Sequence, residues 1–210
     1  TQVGASVGSA RASGILDFHR VSPQSPLMLA FGFLFGAPIR EYLLTALTLP
    51  FALFFVLTDN LDSRSLVQAE ILLLAMAVTL HAMALLGGLA LKGTISGQSA
   101  LGFTVMIGMF VIGPLFGFFQ LLAGPLFRDD AHLELFGLPL PWLAFVLLHL
   151  AAVFYFFLLA STRKMASERK HSLTKPQAIA AMTTLGLFAV GGMSNWNMEG
   201  GVQIAALYVL

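Results

Sequence analysis

The sequence predicts an all-α protein: a polytopic bundle of membrane-spanning helices, preceded by a short interfacial helix. Hydrophobic residues make up 58% of the 210 residues and charged residues only 10%, against about 45–50% and about 25% in soluble domains. Several apolar stretches also reach the ~20 residues that a helix needs to cross a bilayer. Together these observations exclude a disordered chain, a coiled coil and an ordinary soluble enzyme.

Six apolar stretches are the predicted spans. Because backbone groups in lipid must be paired within their own segment, each stretch is predicted to be a helix. The spans are 40–58, 71–91, 100–123, 140–162, 176–194 and 201–210, the last being truncated. Residues 1–38 would precede the transmembrane domain, which is predicted over 39–210. Since neither end resembles a natural terminus, we expect further spans beyond both.

The basic residues predict the orientation of these spans. Nine of the eleven lysines and arginines fall on one side: Arg11, Arg20, Arg40, Lys92, Arg163, Lys164, Arg169, Lys170 and Lys175. The positive-inside rule therefore places residues 1–38 and 163–175 in the cytoplasm, as parts of a multi-pass inner (plasma) membrane protein. The basic loop 163–175 is expected to touch anionic membrane lipids or to dock a cytoplasmic partner.

Overall charge and cysteine content exclude several classes of site. The net charge is only +1, so no global basic field attracts nucleic acid. The sequence holds no cysteine, which rules out thiolate metal sites and disulfides. The acidic stretch around residues 128–134 is generic in spacing and is expected to be a solvated loop rather than a metal site.

The segment before the first span is the most informative part of the chain. Gly14–Pro26 is polar and rich in turn formers, and the apolar run Leu27–Phe35 is too short to cross a bilayer. Ser25 suits an N-cap and Pro26 the first helical turn. We therefore expect a short helix lying against the membrane, ended by Gly36-Ala37-Pro38. The alternative is an ordinary loop followed by the tail of a span.

The spacing of six residues in this segment resembles the cytoplasmic segment of ABC-2-type exporter permeases. The matching residues are Gly14, Leu16, Asp17, Pro23, Ser25 and Gly32. In that family the segment forms a coupling helix that docks on a separate ATP-binding subunit, and the permeases work as homo- or heterodimers. Ile15 and Phe33 stand where the family has threonine and lysine.

The resemblance implies an export permease without enzymatic activity of its own. ATP would be bound by the partner subunit, and this chain would bind no cofactor. The sequence agrees with that expectation, because no phosphate-binding Gly-x-x-x-x-Gly-Lys-Ser/Thr motif occurs in it.

Two histidines near the centres of predicted spans suggest an alternative function. His81 and His149 are ionisable residues at mid-membrane depth, which are costly and often functional. They could line a proton or substrate path in a secondary transporter or channel. They could also ligate a b-type haem, or be neutral side chains bonded to a neighbouring helix.

Helix-breaking residues mark candidate hinges. Gly113, Pro114 and Gly117 combine a proline kink with a pair of small residues, and Pro50 interrupts the first span. They would serve either as hinges beside a transport path or only in helix packing.

Overall fold

The computed structural model describes residues 2–58, 63–90 and 132–191, and these residues are mainly helical. The order of elements is α1 (Gln2–Ala12), α2 (Ile15–Val21), α3 (Pro26–Phe31), a π-helical turn (Gly32–Gly36), α4 (Ile39–Thr58), α5 (Ser63–Ala90), β1 (His132–Leu135), β2 (Leu138–Pro141), α6 (Trp142–Ala166) and α7 (Lys175–Gly191). The predicted spans 100–123 and 201–210, with Gly113, Pro114 and Gly117, lie outside the described residues.

Three helices of the described part are long and apolar enough to cross a membrane: α4, residues Leu66–Ala90 of α5, and α6. This confirms the predicted helical membrane protein in its coarse form. The helix α5 begins at Ser63, well before the predicted residue 71, and so includes Arg64 and Glu70. The prediction began the span after Glu70 because it required a stretch without charged residues, whereas the apolar segment of the helix begins at Leu66 and includes Glu70.

Helix α7 begins within one residue of the predicted span 176–194, and the structure describes it as far as Gly191. The residues before α6 differ more from the prediction. β1 and β2 pair as an antiparallel hairpin with Leu135 opposite Leu138, so Leu140 and Pro141 are not helical. The turn residues Phe136 and Gly137 have φ values of 52° and 78°, as a tight type I′ hairpin turn requires.

Helices α5 and α6 pack side by side and form the centre of the bundle. Met83 of α5 is fully buried in a cluster with Trp142, Phe145, Val146 and Leu150 of α6. Between helices in a membrane, such packing is stabilised by van der Waals contact and not by removal of apolar surface from water. These two helices therefore provide the frame on which the N-terminal segment rests.

Helix α1 packs against the C-terminal half of α5. Val3 and Val7 are fully buried against Leu85 and Leu89. The backbones approach so closely that a Cβ on Gly88 would lie 2.7 Å from the carbonyl oxygen of Gly4. Small residues permit such contact between helices in membranes, which gives the small-residue stretch at the start of the chain a packing role.

The predicted break at Gly36-Ala37-Pro38 is a turn between nearly continuous helices. Gly32 and Ala37 both have right-handed helical dihedrals. The Ala37 N–H donates to the carbonyl oxygen of Phe33 at 3.3 Å, and the Tyr42 N–H donates to that of Pro38 at 3.1 Å. Helix α3 is therefore joined to α4 through helical backbone.

Candidate functional site

The segment from Gly14 to Gly36 lies at the end of the bundle where α5 and α6 finish. Arg11 Nη1 donates to the carbonyl oxygen of Leu89 at 3.2 Å, near the end of α5. Arg11 also forms an ion pair with Glu168, just beyond α6. This ion pair joins two segments, 1–38 and 163–175, which the basic residues predict to lie on the same side of the membrane.

One face of α2 is fixed to α6. Leu16 is only 1% exposed and belongs to the buried cluster that includes Leu85 and Met165. Arg20, one helical turn further on the same face, donates from Nε to the carbonyl oxygen of Met165 and from Nη2 to that of Lys164, both at 3.1 Å. Leu16 and Arg20 together set the position of α2 on the bundle.

The opposite face of α2 is apolar and open to solvent. Ile15, Phe18 and Val21 follow one another at intervals of three residues, and their exposed fractions are 51%, 71% and 83%. Met28 of α3 is also exposed, at 66%. An exposed apolar surface of this kind, at the end of a helical bundle, is typical of a contact site for another protein or for a membrane. We call Ile15, Phe18, Val21 and Met28 the outer patch.

A network of charged side chains borders α2. Asp17 Oδ1 lies 2.5 Å from Arg20 Nη1, and Glu168 Oε2 lies 3.9 Å from the same atom. Glu168 also pairs with Arg11. Glu168 cannot be identified from the sequence, because nothing local indicates that a residue of the basic loop meets two arginines more than 140 positions away.

The remaining residues of the motif shape the backbone. Gly14 has a φ of 76° between α1 and α2, a left-handed conformation that favours glycine. Pro23 is exposed in the connection from α2 to α3. Ser25 Oγ accepts a hydrogen bond from the Met28 N–H at 3.1 Å, as predicted for an N-cap. Gly32 begins the π-helical turn.

The two central histidines contact different helices. His81 Nδ1 lies 2.8 Å from Tyr42 Oη of α4, whereas the His149 ring meets Phe188 of α7 edge-on, with centroids 5.4 Å apart. The two imidazoles have different partners in these contacts and do not meet each other. The contacts therefore do not favour a haem bound by both histidines. Within residues 2–58, 63–90 and 132–191, no group of three or more possible metal ligands is found.

Near His81, a second polar contact joins α1 to α4. Gln2 Nε2 donates to Glu41 Oε1. The other carboxylate oxygen, Oε2, is buried and has no hydrogen-bond partner in the described part of the chain. Glu41 and Tyr42 are consecutive, so both contacts involve the same turn of α4, and we call Gln2, Glu41, Tyr42 and His81 the polar cluster.

A groove separates the other halves of α4 and α5. It has a volume of about 480 Å³ and lies between residues 46–53 and 66–71. Its lining is almost wholly apolar, with Pro50 on one wall and Glu70 on the other. The volume is within the range of about 300–1,000 Å³ that is usual for small-molecule sites.

Comparison with known proteins gives no relative for this arrangement. No family model, no curated protein and no solved structure matches the chain. The functional assignment therefore depends on the residues and contacts described above.

Proposed function

We propose that the chain is the membrane-spanning permease subunit of an ATP-driven exporter, with a separate ATPase subunit docked on α2 and α3. The observation that carries the proposal is the division of α2 into two faces. Leu16 and Arg20 hold one face to α6, and the apolar residues Ile15, Phe18 and Val21 cover the other. The segment that resembles the coupling helix of ABC-2-type permeases thus has both an anchor and a free contact surface.

The outer patch suits a cytoplasmic protein partner. Its four apolar side chains are unfavourable when exposed to water, and their burial in an interface contributes about 25 cal/mol per Å² of apolar area. Phe18 is the largest of them and is 71% exposed, which makes it the expected anchor of the contact. ATP stays on the partner subunit, and this chain contributes no catalytic group and no cofactor.

The proposed mechanism is transmission of movement through packed helices. Closure of the ATPase would push α2, and the bonds from Arg20 to the end of α6 would carry the displacement into that helix. The helical connection from α3 through the π-helical turn would carry it into α4. Single π-helical turns are frequent at functional sites. Alternating access would follow in a homo- or heterodimer of permeases in the inner membrane, with residues 1–38 and 163–175 in the cytoplasm.

The test is a tagged pull-down of the protein from its native membrane in mild detergent. We expect an ATPase that carries a phosphate-binding loop to be retained. The double substitution Phe18→Ser with Val21→Ser should release it, because it removes apolar contact area without touching the anchoring face. The matched control is Ile179→Ser, since Ile179 is another exposed apolar residue, near the start of α7 and away from α2.

Two results would contradict the proposal. One is the absence of any ATPase under conditions that keep known membrane complexes intact. The other is equal retention of the ATPase by the double variant and by the control, which would place the contact elsewhere. Size-exclusion profiles of both variants should match that of the unaltered protein, so that a loss of binding reports on the surface and not on folding.

A secondary transporter is the second candidate, favoured by the polar cluster of Gln2, Glu41, Tyr42 and His81. In the described part of the chain, the carboxylate of Glu41 has one oxygen without a hydrogen-bond partner, and such a group near a tyrosine–histidine pair is suited to bind a proton within a membrane. The substitution His81→Gln distinguishes the two functions. It should abolish pH-dependent flux in a proton-coupled transporter and should leave ATP-driven transport largely intact.

A further inference from the structure

The groove between α4 and α5 is lined by apolar side chains and by one acidic residue, Glu70. Ala46, Leu49, Pro50 and Leu53 form one side; Leu66, Val67, Glu70 and Ile71 form the other. It lies near the start of α5, far from the contacts that α1 makes at Gly88 and Leu89. At 1.5 Å per residue, the eighteen positions from Glu70 to Gly88 correspond to about 27 Å along the helix.

Glu70 is an unusual residue for this position. It lies within the apolar segment Leu66–Ala90 that is suited to cross a membrane. Among the described residues its half-buried carboxylate forms no ion pair, and Arg64, the nearest cation along α5, does not line the groove. A carboxylate in a membrane helix is costly unless it binds a partner or serves a function.

We propose that this groove binds a lipophilic organic cation, with its positive charge against Glu70 and its apolar body against the α4 and α5 side chains. The charge of the ligand follows from the carboxylate, and its apolar character follows from the remaining lining. Lipid chains could fill the apolar part but would leave Glu70 without a counter-charge. An anionic amphiphile would be repelled by Glu70.

Pro50 gives the groove a further distinguishing feature. Proline has no backbone N–H, so it cannot donate to the carbonyl of Ala46 four residues earlier, and both residues line the groove. The helix α4 is therefore locally weakened where it faces the ligand. Binding at this point could be coupled to a bend of α4, the same helix that continues from the π-helical turn.

The role of this cation as a transported substrate rests on the proposed export function, whereas the binding site does not. If the site lies on the export route, the lipophilic cation is the substrate class. The binding experiment and the ATPase pull-down therefore fail independently of each other.

Equilibrium binding of tetraphenylphosphonium to the protein in lipid nanodiscs tests the site, with empty nanodiscs correcting for partition into lipid. Tetraphenylborate is the matched probe, because it has nearly the same size and the opposite charge. We expect saturable binding of the cation and none of the anion. Glu70→Gln should weaken cation binding by about tenfold or more, since it removes a charge from a low-dielectric site.

Two further variants make the result specific to the groove. Val67→Trp should weaken cation binding by filling the apolar wall while Glu70 stays in place. Asp17→Asn removes an exposed carboxylate of α2 outside the groove, and it should leave binding within twofold of the original. Retention of monodisperse size-exclusion profiles identifies the variants that are folded.

Several outcomes would overturn the proposal. Equal binding of both probes, or an unchanged affinity in Glu70→Gln, would show that Glu70 does not select a cation. An unchanged affinity in Val67→Trp would show only surface attraction. Val67→Trp could also leave cation binding unchanged and release a co-purified lipid, which would assign the groove to a lipid. If it instead changed the oligomeric state, the groove would be assigned to a second copy of the chain. In the complex with the ATPase, stimulation of ATP hydrolysis by the cation, and its loss in Glu70→Gln, would support the role of the cation as a substrate. If the cation did not stimulate hydrolysis, the inference would be limited to binding.

Discussion

Arg20 Nε donates a hydrogen bond to the backbone carbonyl oxygen of Met165 at 3.1 Å, and this bond ties α2 to the last turn of α6. The carbonyls at the end of a helix have no donor within the helix itself. The same guanidinium reaches the carbonyl of Lys164. A single side chain of the N-terminal segment thus caps α6, a helix that begins more than 120 residues later.

Substitution Arg20→Lys should destabilise the protein. A lysine ammonium cannot reproduce the planar fork that serves two carbonyls and an aspartate at once, and each lost bond to a charged donor costs about 1.5–3 kcal/mol. We expect a total loss of about 2 kcal/mol in the free energy of unfolding, measured by titration from mild detergent into a denaturing one.

The matched control for Arg20 is Arg40→Lys. Arg40 is exposed, and exposed substitutions usually change stability by less than about 0.5 kcal/mol. If the two variants unfold alike, the guanidinium of Arg20 does not hold α2 to α6.

Gly88→Ala should separate α1 from α5. The added Cβ would meet the Gly4 carbonyl oxygen at 2.7 Å, and the contact involves backbone, which cannot yield as a flexible side chain can. Overpacking of this kind costs about 1–3 kcal/mol. The measurement is the same detergent titration, accompanied by the proteolytic susceptibility of the first twelve residues.

Gly186→Ala is the control for that experiment, because a Cβ there would meet nothing within 4 Å. Alanine is about 1 kcal/mol better than glycine in a helix interior, so this variant should be neutral or more stable. A stabilising effect at both positions would mean that α1 is free to move away from α5 at little cost.

Local features of the fold could be predicted from the sequence, and long-range contacts could not. Ser25 and Pro26 form the expected helix start because capping involves neighbours three residues apart. The pairing of Arg20 with the end of α6 could not be predicted, because it joins segments that are far apart in the sequence and no hydrophobic periodicity indicates it. The start of α5 was misplaced because Glu70 ended the charge-free stretch that served as the criterion.

The candidate site shows the same division. The motif from Gly14 to Gly32 could be found by spacing, but the separation of α2 into an anchored and an exposed face could not. Leu16 and Phe18 are both apolar, and only the packing of Leu16 against Met165 and Leu85 distinguishes them. His81 was a candidate by its depth, whereas its partner Tyr42 was not identified because it belongs to another helix.

Single cysteines can test which residues share one side of the membrane. The chain has no native cysteine, so Phe18→Cys, His171→Cys and Leu138→Cys each introduce one exposed thiol. We expect the first two to react with a membrane-impermeant maleimide from the cytoplasmic side, and Leu138→Cys from the opposite side. Residues 18 and 171 flank the same end of α6, and residue 138 precedes its start. Labelling of Phe18→Cys and Leu138→Cys from one side would contradict the proposed topology.

Tyr42→Phe should separate a structural role of His81 from a functional one. The substitution removes only the hydroxyl that lies 2.8 Å from His81 Nδ1, and hydrogen bonds between membrane helices contribute about 0.6 kcal/mol on average and at most about 1.7. Tyr155→Phe is the control, because Tyr155 is exposed and its described contact is with the ring of Phe156. In an ATP-driven exporter we expect Tyr42→Phe to lower stability by this amount and to leave the transport rate within about twofold. A large loss of pH-dependent flux in Tyr42→Phe but not in Tyr155→Phe would instead favour the secondary transporter, because a proton path depends on that hydroxyl and a packed bundle does not.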